Sequence, residues 1–301
     1  MRAIVTGGAG FIGSHVADAL LARGDEVVVL DSLATGSREN VPEGAQLAEL
    51  DIRDDGVDVL FDEVRPEACF HLAAQAAVPV SVEQPVYDAD VNVLGTIRIL
   101  EAARRHGTRV VFSSTGGAIY GECEGPATEE QPGQPLSPYG TSKLAGEEYL
   151  AAYNRLYGSG HVSLRFANVY GPRQDPHGEA GVVAIFFGAL AEGGQARIFG
   201  DGLQTRDYVY AGDVARATLA SLVRPGGVYN VGTGRATSVV ELYELCRKIA
   251  ESDAEARFEA ERPGDLRHSL LDVSRAEREL GWRPEVTLED GLRRTWESLA
   301  R

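Results

Sequence analysis

Tyr139 and Lys143 stand four residues apart in a stretch that Ser137 and Pro138 open as a helix running to Tyr157, so both side chains leave one helix face. With 11 tyrosines and only two lysines in 301 residues, chance supplies about 0.07 pairs at this spacing, so the pair carries information. A phenol is a poor base at neutral pH, but a neighbouring ammonium stabilises the phenolate and turns it into a usable one. The plain alternative is a Tyr–Lys contact on the helix surface. Ser113-Ser114-Thr115 closes a β-branched run from Arg109, and an open parallel sheet presents its ligand-binding residues at such strand ends. A hydroxyl there could bond a substrate hydroxyl together with Tyr139; the alternative is a polar strand-to-loop transition. His71 and Asn92 read as structural before they read as ligands.

A second constellation sits at the start. Gly7, Gly10 and Gly13 follow a predicted first strand, Ala3 to Thr6, and open a helix through Phe11 and Ile12 to Arg23. The first glycine permits a tight turn, the second lets a pyrophosphate approach the backbone, and the third packs helix on strand. Asp31 ends the second strand, where a carboxylate accepts both ribose hydroxyls and repels a 2′-phosphate; no arginine follows before Arg38. The expected cofactor is NAD rather than NADP. Its positive nicotinamide ring would lower the Tyr139 pKa further. Asp51 and Ile52 could meet the adenine edge, and Leu72, Ala73 and Ala74 are small enough for a cofactor to pass, although a solvated loop and a packing need explain them equally.

These residues need elements to hold them. Strands are expected near 3–6, 26–30, 46–50, 68–72, 109–113 and 161–166, with helices over 12–23, 55–64 and 86–106 between them. That alternation predicts an α/β fold with a doubly wound parallel sheet, a Rossmann domain over residues 1–168. Residues 169–301 are shorter in texture and are expected to form mainly a smaller mixed α/β lobe, with strands near 196–199, 208–210 and 228–231 and a possible crossover back. The formal charge of -16 repels phosphate backbones and anionic lipid, so nucleic-acid and membrane-surface roles are disfavoured. Cys69, Cys123 and Cys246 lack metal or disulfide spacing, so no metal is expected. The apolar stretch from Gly181 to Ala191 is too short for a bilayer. The opening residues contain no signal segment, so the expected location is the cytoplasm.

Together, Thr6-Gly7-x-x-Gly10-x-x-Gly13, Asp31, Ser113-Ser114-Thr115 and Tyr139-x-x-x-Lys143 resemble the extended short-chain dehydrogenase/reductase family, and within it the NAD-dependent nucleotide-sugar epimerase/dehydratase branch. The resemblance continues through residues 164–173, 199–209 and 262–265. It implies that Asn92, Tyr139 and Lys143 also touch the cofactor. It implies further that Asn168, Arg206 and Arg262 bind a nucleotide diphosphate, with Asp265 near the ribose or base, and that backbone around Val182, Val183, Phe187, Ile198 and Phe199 lines a uracil pocket. The implied activity is 4-epimerisation, UDP-glucose to UDP-galactose, by oxidation to a 4-keto sugar, rotation and re-reduction. UDP-N-acetylglucosamine and UDP-glucuronate are the alternatives, the latter with Arg173 as its cation unless that arginine bonds its own loop. A non-catalytic NAD-binding redox sensor is the reading from another class. The implied assembly is a homodimer through the Tyr139 helix and residues 86–106. Two departures stand out. One extra residue before Tyr120-Gly121 leaves Thr115, then Ser114, as the reacting hydroxyl. Gly116 and Gly117 replace the acids that dehydratases carry, which disfavours dehydration.

Overall fold

The apolar runs at 3–6, 68–71 and 162–166 are buried on both faces, as the centre of a parallel sheet covered by helices requires, whereas the run at 46–49 is a partly exposed edge. The computed structural model describes residues 1–176, 181–224, 226–261 and 266–299. The chain opens with β1 (Arg2–Thr6), α1 (Phe11–Ala22), β2 (Glu26–Asp31), β3 (Gln46–Glu49), α2 (Gly56–Val64) and β4 (Ala68–His71). Next come α3 (Val78–Glu83), α4 (Pro85–Ala89), a π-helical turn (Asp90–Leu94) and α5 (Gly95–His106). Then follow β5 (Arg109–Thr115), α6 (Gly116–Ile119), α7 (Pro138–Tyr157), β6 (Val162–Phe166) and β7 (Asn168–Tyr170). The remainder supplies α8 (Val182–Ala191), β8 (Arg197–Phe199), β9 (Thr205–Tyr210), α9 (Ala211–Ala220), β10 (Gly227–Val231), β11 (Ala236–Ser238), α10 (Val239–Ile249), β12 (Arg257–Glu259), β13 (His268–Ser269) and α11 (Leu288–Leu299).

Seven strands form one sheet in the order β10-β6-β5-β4-β1-β2-β3, every pairing parallel. The chain runs outward from β1 to β3 and then returns to place β4 on the other side of β1. That reversal opens a crevice at the carboxyl ends of β1 and β4, the place where such sheets bind ligands. A smaller lobe holds the β11-β9-β13 strands with β7 against β9, and the pair β12-β8. Its core packs Phe186, Phe187, Tyr243 and Leu242 from α8 and α10.

Two pieces of the second half depart from expectation. The strand at 228–231 was expected in the small lobe, but β10 adds to the large sheet beside β6, with Tyr229 opposite Leu164. The helix before it, α9, packs on α1. Both are apolar segments that satisfy any sheet edge or helix face; tertiary pairing, not local pattern, selects the partner. The helix expected over 86–106 is interrupted by the π turn.

Local signals explain α7. The Ser137 hydroxyl caps it by accepting the Gly140 amide at 3.2 Å, Pro138 occupies the first turn and Gly158 ends it at φ 64°. One turn beyond Lys143 on the same helix, a buried ion pair locks α7 to the sheet. Glu147 Oε2 accepts Arg165 Nη2 at 2.6 Å, and Arg165 Nη1 donates to the Tyr120 hydroxyl at 2.8 Å. Tyr120 in turn donates to Asn230 Oδ1 at 2.7 Å, so α7, β6 and β10 share one polar network. Arg165→Met would leave Glu147 buried without its cation and is expected to cost about 3–5 kcal/mol in denaturant unfolding. The double variant Glu147→Leu/Arg165→Met is expected to recover most of that loss.

Candidate active site

The turn after β1 is built for close approach. Gly7 has φ +69°, and a Cβ there would sit 2.7 Å from the Ala73 amide, which passes on the end of β4. A Cβ at Gly13 would lie 2.1 Å from the Gly7 carbonyl oxygen. Helix α1 begins at Gly10 with no side-chain cap, so amide donors and the positive end of the helix are left for an anion. Asp31 is buried, accepting the Ala9 amide through Oδ2 and the Leu33 amide through Oδ1, both at 2.9 Å. Each oxygen keeps a lone-pair direction for a ribose hydroxyl. Thr6 aligns the other wall of the crevice, its hydroxyl accepting Ala73 N at 3.1 Å. These residues fit a dinucleotide.

The neighbouring expectations fare unevenly. Asp51 pairs with Arg53, Oδ2 to Nη2 at 2.8 Å, and that guanidinium holds its carboxyl below the ordinary range. The Ile52 side chain lies in the core and abuts Gly95, leaving only its backbone for adenine. Asn92 is fully occupied: Oδ1 accepts Gln75 N at 2.9 Å, and Nδ2 donates to Gln75 O at 2.8 Å and to Asp88 Oδ1 at 3.0 Å. Its side chain therefore shapes the loop after β4. His71 lies between Thr6 and Thr96, 2.8 and 2.9 Å away, and burial, then the Lys143 charge, pushes it down to about 3. It is a neutral structural residue.

A cavity of about 270 Å³ brings together Phe11 and Ile12 from α1, Ser113 to Thr115, Tyr139, Asn168, Val182 and Val183. The hydroxyls of Thr115 and Tyr139 make no hydrogen bond to another described residue, so both are available to the cavity. Strand alternation separates Thr115 from Ser114. Ser114 is buried and donates to Glu147 Oε1 at 2.5 Å, which commits it to the ion-pair network and makes Thr115 the free hydroxyl. Gly117 keeps the space open; a Cβ there would stand 3.6 Å from Asn168 Oδ1 and 4.0 Å from Thr115 Oγ1. Gly116 has Leu271 where its Cβ would go, at 2.6 Å, so no acid could replace it without repacking.

Lys143 is 2% exposed. Its Nζ donates to the Ser113 carbonyl at 2.9 Å and lies 6.0 Å from the centre of the Tyr139 ring. Burial lowers it to about 8, against the raising influence of Asp88 and Glu147. Tyr139 moves opposite to expectation. Burial, then Asp88, pushes its phenol up to about 12. The ammonium is bonded to a carbonyl rather than to the phenol, so desolvation wins in the protein by itself.

Other parts of the substrate expectation divide. Phe187 packs its ring 5.3 Å from that of Trp296 and, like Ile198, is in the core; only backbone remains for a ligand. Phe199 lines a second cavity of about 180 Å³ with Asp201, Gln204 and Arg267. Arg206 donates to the Thr205 carbonyl at 2.9 Å and does not line the larger cavity. Arg262 and Asp265 lie outside the described residues. Arg173 bonds Asp18 Oδ2 at 2.6 Å and His15 Nδ1 at 2.9 Å, the loop-anchoring role rather than a free cation. Two residues were missed. Tyr208 lines the cavity with a buried hydroxyl lacking a partner among the described residues, as does Gln174 with its carbonyl oxygen. Tyr208 stands opposite Asn168 in the β7–β9 pairing, a register invisible in one sequence.

The comparisons with known proteins agree with this arrangement. Residues 3–232 match the NAD dependent epimerase/dehydratase family. The chain belongs to that family. It is 48% identical to UDP-glucose 4-epimerase of Mycolicibacterium smegmatis, over 99% of this chain and 98% of the relative. A crystal structure of UDP-glucose 4-epimerase from Thermotoga maritima with UDP-glucose superposes with a TM-score of 0.97 at 47% identity, covering 100% of this chain and 99% of that one. The Thermus thermophilus UDP-glucose 4-epimerase complex with NAD gives 0.95 at 50% identity, with the same coverage.

Gly13→Ala forces backbone against backbone. It is expected to cost about 1–3 kcal/mol of packing at the turn and to weaken NAD binding about tenfold or more by calorimetry.

Proposed function

We propose that the chain is an NAD-dependent isomerase, a 4-epimerase that interconverts UDP-glucose and UDP-galactose. The observation that carries this reading is the convergence of Thr115 and Tyr139, whose hydroxyls have no partner among the described residues, on one cavity, with the buried Lys143 ammonium held on the carbonyl of the lining residue Ser113 and glycines where a dehydrating acid would stand. NAD, when bound, supplies the hydride acceptor and a positive ring. Tyr139 takes the proton from the sugar's 4-hydroxyl and later returns it. Lys143, fixed on the Ser113 carbonyl, offsets the phenolate charge and is placed for the cofactor ribose. Thr115 holds the reacting oxygen through hydroxyl and keto stages. Asn168, Val182 and Val183, with Tyr208, Arg206, Arg262 and Asp265, would grip the nucleotide diphosphate, so that the sugar alone turns over.

The named relatives support glucose. The chain also resembles UDP-glucuronic acid 4-epimerase from Bacillus cereus, at 31% identity and a TM-score of 0.92 over 100% of this chain and 99% of that one. The Arg173 contacts with Asp18 and His15 argue against a carboxylate clamp at that residue.

We further place the enzyme in the cytoplasm as a homodimer. Among the described residues no helix is long and apolar enough to cross a membrane. Val86, Leu94 and Tyr149 expose apolar side chains on α4, the π turn and α7, a face suited to a second copy.

NMR of UDP-glucose, UDP-N-acetylglucosamine and UDP-glucuronate, without added reductant, tests the reading. UDP-galactose should accumulate from UDP-glucose, and Tyr139→Phe should slow it by about 10²–10⁴ with NAD still bound. Conversion of UDP-glucuronate alone would move the substrate, and NAD retention without any turnover would favour a redox sensor.

A further inference from the structure

One carboxylate close to the catalytic pair has no role so far. Asp88 is completely buried, yet no cation among the described residues pairs with it. Its Oδ1 accepts Gln75 Nε2 at 2.9 Å and Asn92 Nδ2 at 3.0 Å, and its Oδ2 accepts the Ser142 hydroxyl at 2.6 Å. All three donors are neutral. A buried acid normally finds a cation or is replaced by something cheaper to desolvate. This one is held by three elements that meet at the site: the loop after β4, through Gln75; the π turn, through Asn92; and α7, through Ser142, which lies between Tyr139 and Lys143 in the chain. π turns are rare and recur at functional sites; here the turn begins two residues after Asp88.

We propose that Asp88 is a positioning residue whose negative charge, set behind the helix that carries Tyr139 and Lys143, fixes the pH range in which that pair works. The inference rests on the proton-transfer reading of the pair. Electrostatics gives its direction: the carboxylate makes it harder for Tyr139 to lose a proton and harder for Lys143 to lose one. Lys143 is the group at risk, since burial alone drives it toward the neutral amine. The other charges facing the pair do not duplicate Asp88. Glu147 raises Lys143 as well, but it is consumed by Arg165. His71 is neutral. Asp90 pairs with Arg53, and Glu83 is exposed on the outer side of α3.

Asp88→Asn separates charge from shape. The amide oxygen can still accept Gln75 and Asn92, and its nitrogen can donate to the Ser142 oxygen, so the three bonds survive while the charge is lost. The pH profile of kcat/KM in the NAD-loaded enzyme is expected to keep its bell shape and slide about one unit to the acid side. The acid limb follows Tyr139, whose pKa falls; the alkaline limb follows Lys143, whose pKa also falls. Asp88→Thr removes the same charge with a different shape and should slide equally, which keeps the test decisive if one variant folds poorly. Ser142→Ala retains the charge and should leave the profile centred. A profile that drops in height without sliding in Asp88→Asn and Asp88→Thr would overturn the proposal. Near-ultraviolet tyrosinate absorbance, taken as the difference from Tyr139→Phe, reads the same shift without any substrate. A downshift there with no turnover of UDP-glucose by the native enzyme would keep the Asp88 proposal and fail the substrate reading. An unshifted phenol would sink the proposal alone.

Discussion

Burying the Lys143 ammonium is the demand that the rest of the site is arranged to meet. A cation at 2% exposure must find acceptors and counter-charge or lose its proton. The Ser113 carbonyl supplies the acceptor, which requires β5 to end where it does. Glu147 and Asp88 supply negative charge from the same helix and from the segment before the π turn. Each of those acids is itself buried and needs its own donors, so Arg165, Tyr120 and Asn230 follow on one side and Gln75, Asn92 and Ser142 on the other. Two buried polar networks therefore lie to either side of this lysine. Their stability cost is met by the surrounding sheet, whose strands and covering helices bury most of the apolar side chains.

The same desolvation explains the one electrostatic reversal. Reasoning from the Tyr-x-x-x-Lys spacing alone leads to a depressed phenol, because the spacing reports proximity and not solvation. In the folded protein the tyrosine is half-buried, the ammonium is turned to a carbonyl, and Asp88 is buried nearby. Burial and Asp88 both favour the protonated phenol, and a further positive charge in the crevice would act the other way.

Much of this architecture could be read from the sequence, and the parts that could not share a cause. The glycine turn, Asp31, the strand-helix alternation of the first half and the Tyr139/Lys143 face are local patterns with steric or periodic reasons, and they fold as expected. The return of β10 to the large sheet, the packing of α9 on α1 and the register that sets Tyr208 beside Asn168 depend on long-range pairing. A single sequence does not encode these as spacing. The choice between Ser114 and Thr115 needed the strand's facing, which only the Glu147 contact reveals. The contacts of Asn92 with Gln75 are long-range in the same way and have no signature in spacing. Arg262 and Asp265, outside the described residues, keep the standing of family expectations.

The proposed proton transfer requires that the positive ring of bound NAD lower the pKa of Tyr139, whose protonated form burial and Asp88 favour. Titrating the tyrosinate absorbance of Tyr139, against Tyr139→Phe, in NAD-free and NAD-loaded protein tests this directly. The account predicts a phenol near 12 without NAD and a fall of about two units or more with it. Equal values in the two forms, or a depressed phenol in the NAD-free protein, would contradict it.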